Sequence, residues 1–143
     1  MKAVDRIKIR GFHVDAFRHV NHARYVEFFE DGRWAYAELN QHVGDLFTRL
    51  QKKGIVHMIV NINIDYKKGA VVGDTLRIET DLMKAGSKSY VMSQKAFIGE
   101  TDTPAAEAEM TNVFVDRKAE KVIEINEEIM SGWPELAGLL REG

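Results

Sequence analysis

The sequence predicts an α+β fold in which a curled antiparallel sheet of five strands wraps around one long central helix. Three observations lead to this prediction. Residues 22–39 carry apolar side chains at helical spacing, four later segments alternate polar and apolar residues, and the turns between those segments are short. Strands joined by short turns run antiparallel, and the apolar faces of helix and sheet must bury one another.

The first part of the chain predicts a strand, a loop and the long helix. Residues 4–10 alternate polar and apolar side chains, which predicts a strand, whereas residues 11–20 lack any period and predict an irregular loop. Asn21 is a plausible N-cap for the helix over 22–39. Gly32 lies inside that helix and weakens it by roughly 1 kcal/mol relative to Ala, so we expect close packing to compensate.

A shorter helix over 43–53, ending at Gly54, is followed by the clearest strand in the chain. That strand has period 2 over about a dozen residues, which is long for a strand. The alternation predicts one apolar face, made of Val56, Met58, Val60, Ile62, Ile64 and Tyr66, and one polar face, made of His57, Asn61, Asn63, Asp65 and Lys67 and broken only by Ile59.

Three further strands and a C-terminal helix complete the prediction. The strands are expected over 75–83, 89–98 and 105–115, and the helix over 126–140 with an interruption near Pro134. A sheet of this kind has two open edges, and long edge strands favour pairing with another subunit. We therefore expect a homodimer or a homotetramer.

Composition limits the classes of function. The 143 residues fit a single domain over 1–143, and a net charge of −2 argues against a nucleic-acid partner. The chain has no cysteine, which excludes a disulfide framework and a thiol nucleophile. No apolar run reaches the roughly 18 residues that a membrane span needs, and charges interrupt the N-terminus too early for a signal peptide. We expect a cytoplasmic protein without a membrane partner.

The main candidate for chemistry is Asp15, a lone carboxylate a few residues before the predicted helix start at Asn21 and His22. A helix N-terminus presents unpaired backbone N–H groups that can stabilise a developing oxyanion, while a nearby carboxylate attacks or activates water. A thioester suits such a site because its thiolate leaves with little acid assistance. The simpler interpretation of Asp15 is a loop residue that forms a local Asx-turn.

The residues beside Asp15 have several interpretations. His19 and His22 lack a third ligand at metal-binding spacing, so we expect no metal. His19 fits either a structural role or a hydrogen-bonding role near the substrate, and we expect the backbone N–H of His22 to matter more than its imidazole. Asn21 is either a simple cap or a donor to the substrate carbonyl.

Four residues further along the chain are candidates for binding substrate. Tyr25 either packs in the core or lines an acyl pocket. Glu30 is a solvated charge, an ion-pair partner of Arg33, or a second carboxylate at a subunit interface. Lys67 and Lys68 follow the long strand and could bind the phosphates of a nucleotide-bearing substrate, although charged turn residues are often only solvated.

Several segments together resemble the signature of a known family. They are Asp15, His19–Tyr25, Phe29–Trp34 and Asn61–Tyr66. This pattern is similar to that of the 4-hydroxybenzoyl-CoA thioesterase family of hotdog-fold acyl-CoA thioesterases. Within the family, the chain is most similar to the long-chain acyl-CoA thioesterases of bacterial fatty-acid degradation. The resemblance covers roughly residues 6–116.

The resemblance implies hydrolysis of medium- to long-chain fatty acyl-CoA, with no cofactor beyond the coenzyme A of the substrate. Asp15 takes the place of the family's general base or nucleophile, and the N–H of His22 takes the place of the donor that polarises the carbonyl. The family's sites lie at a dimer interface, with CoA held at the surface by basic residues. Relatives tend to have Asn at the position of His22 and Ala at that of Gly32, which bears on substrate preference.

Two other functions fit the same residues. One is a hotdog-fold dehydratase or hydratase acting on acyl thioesters, for which the side chain of His19 or His22 would be essential. The other is a non-catalytic module that binds an acyl group or acyl-CoA. Fold alone does not decide among these functions.

Overall fold

The computed structural model describes residues 1–142, and in them it contains ten helices and strands and one 3₁₀ turn over Gly11–His13. In chain order they are β1 (Ala3–Lys8), α1 (His22–Leu39), α2 (Gln41–Lys52), β2 (Ile55–Tyr66), β3 (Thr75–Ala85), β4 (Ser89–Ile98), β5 (Pro104–Asp116), β6 (Lys121–Ile123), α3 (Glu127–Gly132) and α4 (Pro134–Glu142). The predicted order of elements is confirmed, with β6 as an unpredicted addition.

The strands form one open antiparallel sheet in the order β1-β3-β4-β5-β2. The short β6 pairs with the end of β5, beyond the point where β4 stops. The α+β architecture with five long strands is therefore confirmed, and the sixth strand was missed because it spans only Lys121–Ile123. The sheet is not closed, so β1 and β2 are its edges.

Helix α1 lies against the inner face of the sheet through an apolar stripe at helical spacing. The buried residues of that stripe are Tyr25, Phe28, Phe29, Gly32 and Tyr36. A Cβ on Gly32 would lie 2.7 Å from the hydroxyl of Thr80 and 2.8 Å from a methyl group of Ile78, both on β3. The expected compensation for this glycine is thus present, because only a residue without a side chain lets the helix approach the strand so closely.

A β-bulge divides β2 into two halves. Ile59 lies opposite Asn112 of β5, whereas Asn61 lies opposite Thr111, so Val60 is an extra residue without a partner. A bulge of this kind puts two residues against one and reverses the face on which the following side chains lie.

The bulge corrects the predicted faces of β2. Residues directly opposite one another share a face, and His57 lies opposite the buried Phe114 while Ile62 lies opposite the buried Met110. Both therefore face inward, whereas Asn61 faces outward. The prediction that His57 shares a polar face with Asn61 is wrong, and so is the single apolar face proposed for the whole strand.

The C-terminal segment forms two short helices, which confirms the predicted interruption near Pro134. Helix α3 ends at Gly132, and α4 begins at Pro134, which cannot donate a backbone hydrogen bond to a continuing helix. Trp133 at the junction is only 1% exposed and enters the core. Among residues 1–142, none of the helices has both the length and the apolarity that crossing a membrane would require.

Candidate active site

A short hairpin brings Asp15 next to the start of α1. Val14 and Val20 form an antiparallel bridge, the N–H of Asp15 donates to the carbonyl of His19, and the N–H of Asn21 donates to the carbonyl of His13. Asp15 and Asn21 thus lie on opposite strands of this ladder and two positions apart along it, an offset of about 7 Å in the strand direction. The loop that had no period in the sequence is held in one conformation by these bonds.

The carboxylate of Asp15 is exposed and oriented by its own loop. One carboxylate oxygen, Oδ1, accepts a hydrogen bond of 2.9 Å from the N–H of Phe17. This is the Asx-turn that the simpler interpretation predicted, and it is compatible with chemistry because a carboxylate has two oxygens. Arg18 adopts a left-handed φ of 66° to complete the turn.

The N-terminus of α1 is capped in a way that leaves one donor unused. The side chain of Asn21 accepts a 2.9 Å bond from the N–H of Ala23, and its carbonyl accepts one from Arg24. The cap predicted at Asn21 is therefore confirmed. Within residues 1–142 the N–H of His22 has no acceptor. This is the donor at which the positive end of the helix dipole is available to a bound oxygen.

The end of β2 lies beside this helix start. The imidazole of His22 stacks on the ring of Tyr66 with centroids 4.0 Å apart, and the hydroxyl of Tyr66 donates to the carbonyl of His22. His19 packs against Gly69 so closely that a Cβ there would lie 2.7 Å from its ring. The exposed Lys67 and Lys68 lie between these two contacts in the chain, so the structure brings them together with His19 and His22.

Tyr25 is placed in the core below this cluster. It is 2% exposed and packs edge-on against Phe28 and Tyr66. Burial and the neighbouring Tyr66 raise the pKa of Tyr25 to about 12. Its packing supports the N-terminal turns of α1.

Helix α1 does not fully cover the inner face of β2, since Ile62 faces inward and is still 41% exposed, and we call the gap between the two elements the groove. At one end His22 meets Tyr66, and at the other end Glu30 and His57 line the same cavity. The helix and the strand therefore run side by side in opposite directions. The exposed residues along the helix wall recur every fourth position, namely His22, Val26, Glu30 and Trp34.

The groove ends in a cavity of about 400 Å³. Its walls are mostly apolar and aromatic, and polar or charged side chains also line it, namely those of Glu30, Arg33, His57, Tyr90 and Asn112. The remaining lining residues are Trp34, Tyr36, Ala37, Val43, Phe47, Met58, Ile59, Met92 and Trp133. Of the predicted site residues, Glu30 lines this cavity, and it lies about two turns of α1 away from His22.

Arg33 is held in the cavity wall by a buried network. Its guanidinium donates a 2.9 Å bond to the side-chain oxygen of Gln94. The amide nitrogen of Gln94 donates in turn to the carbonyl of Phe29 and to the hydroxyl of Thr80. Within residues 1–142 Arg33 makes no ion pair with Glu30, so that interpretation of Glu30 is not realised and its carboxylate stays exposed.

His57 and Tyr90 form a pair beside Arg33. The hydroxyl of Tyr90 lies 3.5 Å from Nδ1 of His57, and the imidazole stacks on Phe47 with centroids 4.1 Å apart. Loss of solvent around the ring and the charge of Arg33 lower the pKa of His57. Burial raises the pKa of Tyr90, and the charge of Arg33 opposes that rise.

The sequence did not reveal this cavity. Arg33, His57 and Tyr90 come from three different elements and have no common spacing. The one local signal in the sequence was Ile59, an apolar residue that interrupts the polar face predicted for β2. In the structure Ile59 lies next to the bulge. In the part of the chain that the structure describes, no group of three or more His, Asp or Glu side chains is arranged to hold a metal ion.

Comparisons with known proteins agree on one family. The model of the thioesterase-like superfamily matches residues 11–132. The long-chain acyl-CoA thioesterase FadM of Escherichia coli (strain K12) is 36% identical over 124 residues, which are 87% of this chain and 91% of FadM.

Solved structures show the same fold. YbaW, a probable thioesterase from Escherichia coli, has a TM-score of 0.82 at 32% identity, covering 94% of this chain and 98% of YbaW. The hypothetical protein SAV2348 from Staphylococcus aureus, solved in complex with CoA, has a TM-score of 0.78 at 11% identity, covering 98% of this chain and 86% of SAV2348. The predicted hotdog fold is confirmed, and the chain belongs to the thioesterase-like superfamily.

Proposed function

We propose that this protein hydrolyses acyl-CoA thioesters to a free acid and coenzyme A. The observation that carries the proposal is the exposed carboxylate of Asp15 beside the unused N–H of His22 at the start of α1. The similarity to FadM, a long-chain acyl-CoA thioesterase, supports the same activity.

The proposed reaction uses these two groups in sequence. The carbonyl oxygen of the thioester accepts a hydrogen bond from the N–H of His22, where the helix dipole stabilises the negative charge that develops. Asp15 either takes a proton from the attacking water or attacks the carbonyl carbon itself to form a mixed anhydride, which water then hydrolyses. In both routes the carbon–sulfur bond breaks and coenzyme A leaves as the thiolate.

Asn21 and His19 have supporting roles in this proposal. The cap made by Asn21 holds the first turn of α1, so the N–H of His22 keeps a fixed direction. His19 anchors the Asp15 hairpin from its other side, through its carbonyl and its contact with Gly69. Both residues act on the orientation of the reacting groups, and orientation contributes to rate.

The coenzyme A portion is expected to lie over the end of β2. Lys67 and Lys68 are exposed next to the cluster of His19, His22 and Tyr66. Lysine is a common partner of phosphate groups, and the substrate carries several of them. SAV2348, which has the same fold, was solved in complex with CoA, and this supports a substrate that carries CoA.

The acyl group is expected to lie in the groove between α1 and β2. From His22 to Arg33 the helix rises about 16 Å, at 1.5 Å per residue. The cavity of about 400 Å³ lies within the range of volumes that is usual for small-molecule sites. These dimensions support a medium- to long-chain acyl group.

A second copy of the chain is expected to cover the groove, as a homodimer or within a homotetramer. The edge strand β2 exposes Met58, Val60, Ile62 and Tyr66, which are each between 41% and 58% exposed. Long apolar edge strands readily pair with another chain. Covering the groove would also exclude water from the acyl group.

The test is release of free thiol from a panel of acyl-CoAs by the wild type and by Asp15→Asn. We expect turnover that falls about 10²- to 10⁴-fold in Asp15→Asn, the usual contribution of a general base. Asp45→Asn, at an exposed position of α2, is the matched control and is expected to keep full activity. Binding of acyl-CoA with no turnover by the wild type would instead favour a non-catalytic module. No release of thiol, together with loss or addition of water on the acyl chain that depends on the imidazole of His19 or His22, would favour a dehydratase or hydratase.

A further inference from the structure

The far end of the groove is more polar than a site for a plain alkyl chain requires. Arg33, His57 and Tyr90 meet there among the aromatic rings of Phe47 and Trp133. Polar groups that face an apolar ligand lose their water without gaining a partner, which costs free energy. The arrangement of these three side chains therefore bears on what the cavity binds.

Arg33 presents donors to the cavity that the protein does not use. A guanidinium has five N–H donors, and in residues 1–142 that of Arg33 makes one side-chain hydrogen bond, to Gln94. Gln94 is 0% exposed and is itself fixed by two bonds, so the guanidinium is held in a defined position. Such a preorganised donor suits an oxygen acceptor on a ligand.

Tyr90 supplies a second donor of the same kind. Its side chain is 2% exposed, and its hydroxyl has one weak contact, at 3.5 Å, with Nδ1 of His57. That distance is beyond the usual range for a hydroxyl hydrogen bond. Tyr90 lines the same cavity as Arg33 and His57, so the three groups lie close to one another.

The charge at this point favours a neutral ligand group. Glu30 lines the same cavity with an exposed carboxylate and offsets the charge of Arg33. A carboxylate on the ligand would be attracted by Arg33 and repelled by Glu30. A hydroxyl or a carbonyl would accept hydrogen bonds from Arg33 and Tyr90 without that repulsion.

We propose that the cavity selects an acyl group that carries a neutral oxygen, a hydroxyl or a carbonyl, near its far end, bound by Arg33 and Tyr90. The inference rests on the proposed function, because it takes the cavity as the site of the acyl group. A site built to hydrogen-bond a substrate oxygen discriminates strongly against the analogue that lacks it. Tyr90 and Arg33 are then specificity-determining residues, remote from the thioester.

The first test compares matched substrates. The kcat/KM values for decanoyl-CoA, terminally hydroxylated decanoyl-CoA and terminally carboxylated decanoyl-CoA are measured for the wild type, with the octanoyl and dodecanoyl series alongside. We expect the hydroxylated compound of the best-fitting length to exceed its alkyl counterpart by about 10- to 100-fold, the value of one hydrogen bond to a charged donor. An alkyl chain that is as good or better, or a carboxylate that is best, would overturn the proposal.

The second test assigns the preference to Tyr90. Tyr90→Phe removes only the hydroxyl, so the ring and its packing on Trp133 are kept. We expect the ratio of kcat/KM for hydroxylated over plain substrate to fall about 5-fold or more in Tyr90→Phe, the effect of one lost hydrogen bond. Ser93→Ala, which removes a hydroxyl from the same strand at a position that does not line the cavity, is expected to leave the ratio unchanged. A ratio that does not move in Tyr90→Phe would overturn the assignment.

A binding measurement separates this inference from the proposed function. Calorimetric titration with terminally hydroxylated decanoic acid and with decanoic acid needs no turnover. Tighter binding of the hydroxylated acid, weakened in Tyr90→Phe, would support the cavity assignment even if no thioester were hydrolysed. Equal binding of the two acids would overturn it even if the thioesterase activity were established.

Discussion

Replacing Gly32 by alanine tests how closely α1 approaches the sheet. The added methyl group would lie 2.7 Å from Oγ1 of Thr80, 2.8 Å from Cγ2 of Ile78 and 3.0 Å from Nε2 of Gln94. Thr80 and Ile78 are fully buried β-branched residues with little freedom to move aside. The helix or the strand must therefore shift.

The expected size of the effect combines two opposing terms. Alanine is favoured over glycine inside a helix by about 1 kcal/mol. Overpacking a rigid core costs about 1 to 3 kcal/mol, so the net result for Gly32→Ala is a loss of about 1 kcal/mol. In a domain of this size that loss corresponds to a fall in the melting temperature of about 3 °C.

The chain offers a matched control in Gly138. This glycine also lies inside a helix, α4, but a Cβ there would meet no atom within 4 Å. Gly138→Ala is therefore expected to raise stability by the full helix term of about 1 kcal/mol. Urea unfolding, monitored by tryptophan fluorescence at one protein concentration, gives both free energies of unfolding. If Gly32→Ala stabilises the protein as much as Gly138→Ala does, the close approach of α1 to β3 is refuted.

Three further predictions concern charge and assembly. Burial and the nearby Asp31 raise the pKa of Asp5 to about 6. The folded state therefore binds the proton of Asp5 more tightly than the unfolded state does, and ionisation of Asp5 lowers the stability of the fold as the pH rises through about 6. Asp5→Asn should therefore raise the melting temperature at about pH 8 but not at about pH 4, and an equal effect at both would contradict the shift. Replacing Lys67 and Lys68 by alanine should raise KM for acyl-CoA with little change in kcat, and it should weaken the dependence of KM on salt concentration. Kinetic assays at low and high salt measure both effects, and a KM equal to that of the wild type would count against phosphate binding. Val60→Lys, at an exposed bulge of the edge strand, should shift the protein toward monomer, as measured by light scattering. An unchanged oligomeric state would mean that β2 lies outside the subunit interface.

The parts of the fold that were predictable depend on local signals. Helix α1 was predicted over 22–39 and spans His22–Leu39, because its apolar spacing and the cap at Asn21 are both encoded within a few residues. The proximity of Asp15 to that helix is equally local, since a hairpin of fewer than ten residues creates it.

The parts that were not predictable depend on pairing between distant segments. The bulge at Val60 is fixed by the register of β2 on β5, and alternation within β2 alone gave the wrong face for His57. Tyr90 and Trp133 reach the cavity from β4 and from the junction of α3 and α4. No spacing in the sequence links them, because only packing of the whole domain brings them to one place.

The most direct test of the central claim measures turnover and binding in the same variant. Thiol release from one acyl-CoA and calorimetric binding of its non-hydrolysable thioether analogue are determined for the wild type and for Asp15→Asn, with the melting temperature as a check on folding. We predict that Asp15→Asn retains the melting temperature and binds the analogue with a Kd within a few-fold of the wild type, while kcat falls by about 10²-fold or more. A kcat that is unchanged in a fully folded Asp15→Asn variant would contradict the assignment of the active site to Asp15 and the start of α1.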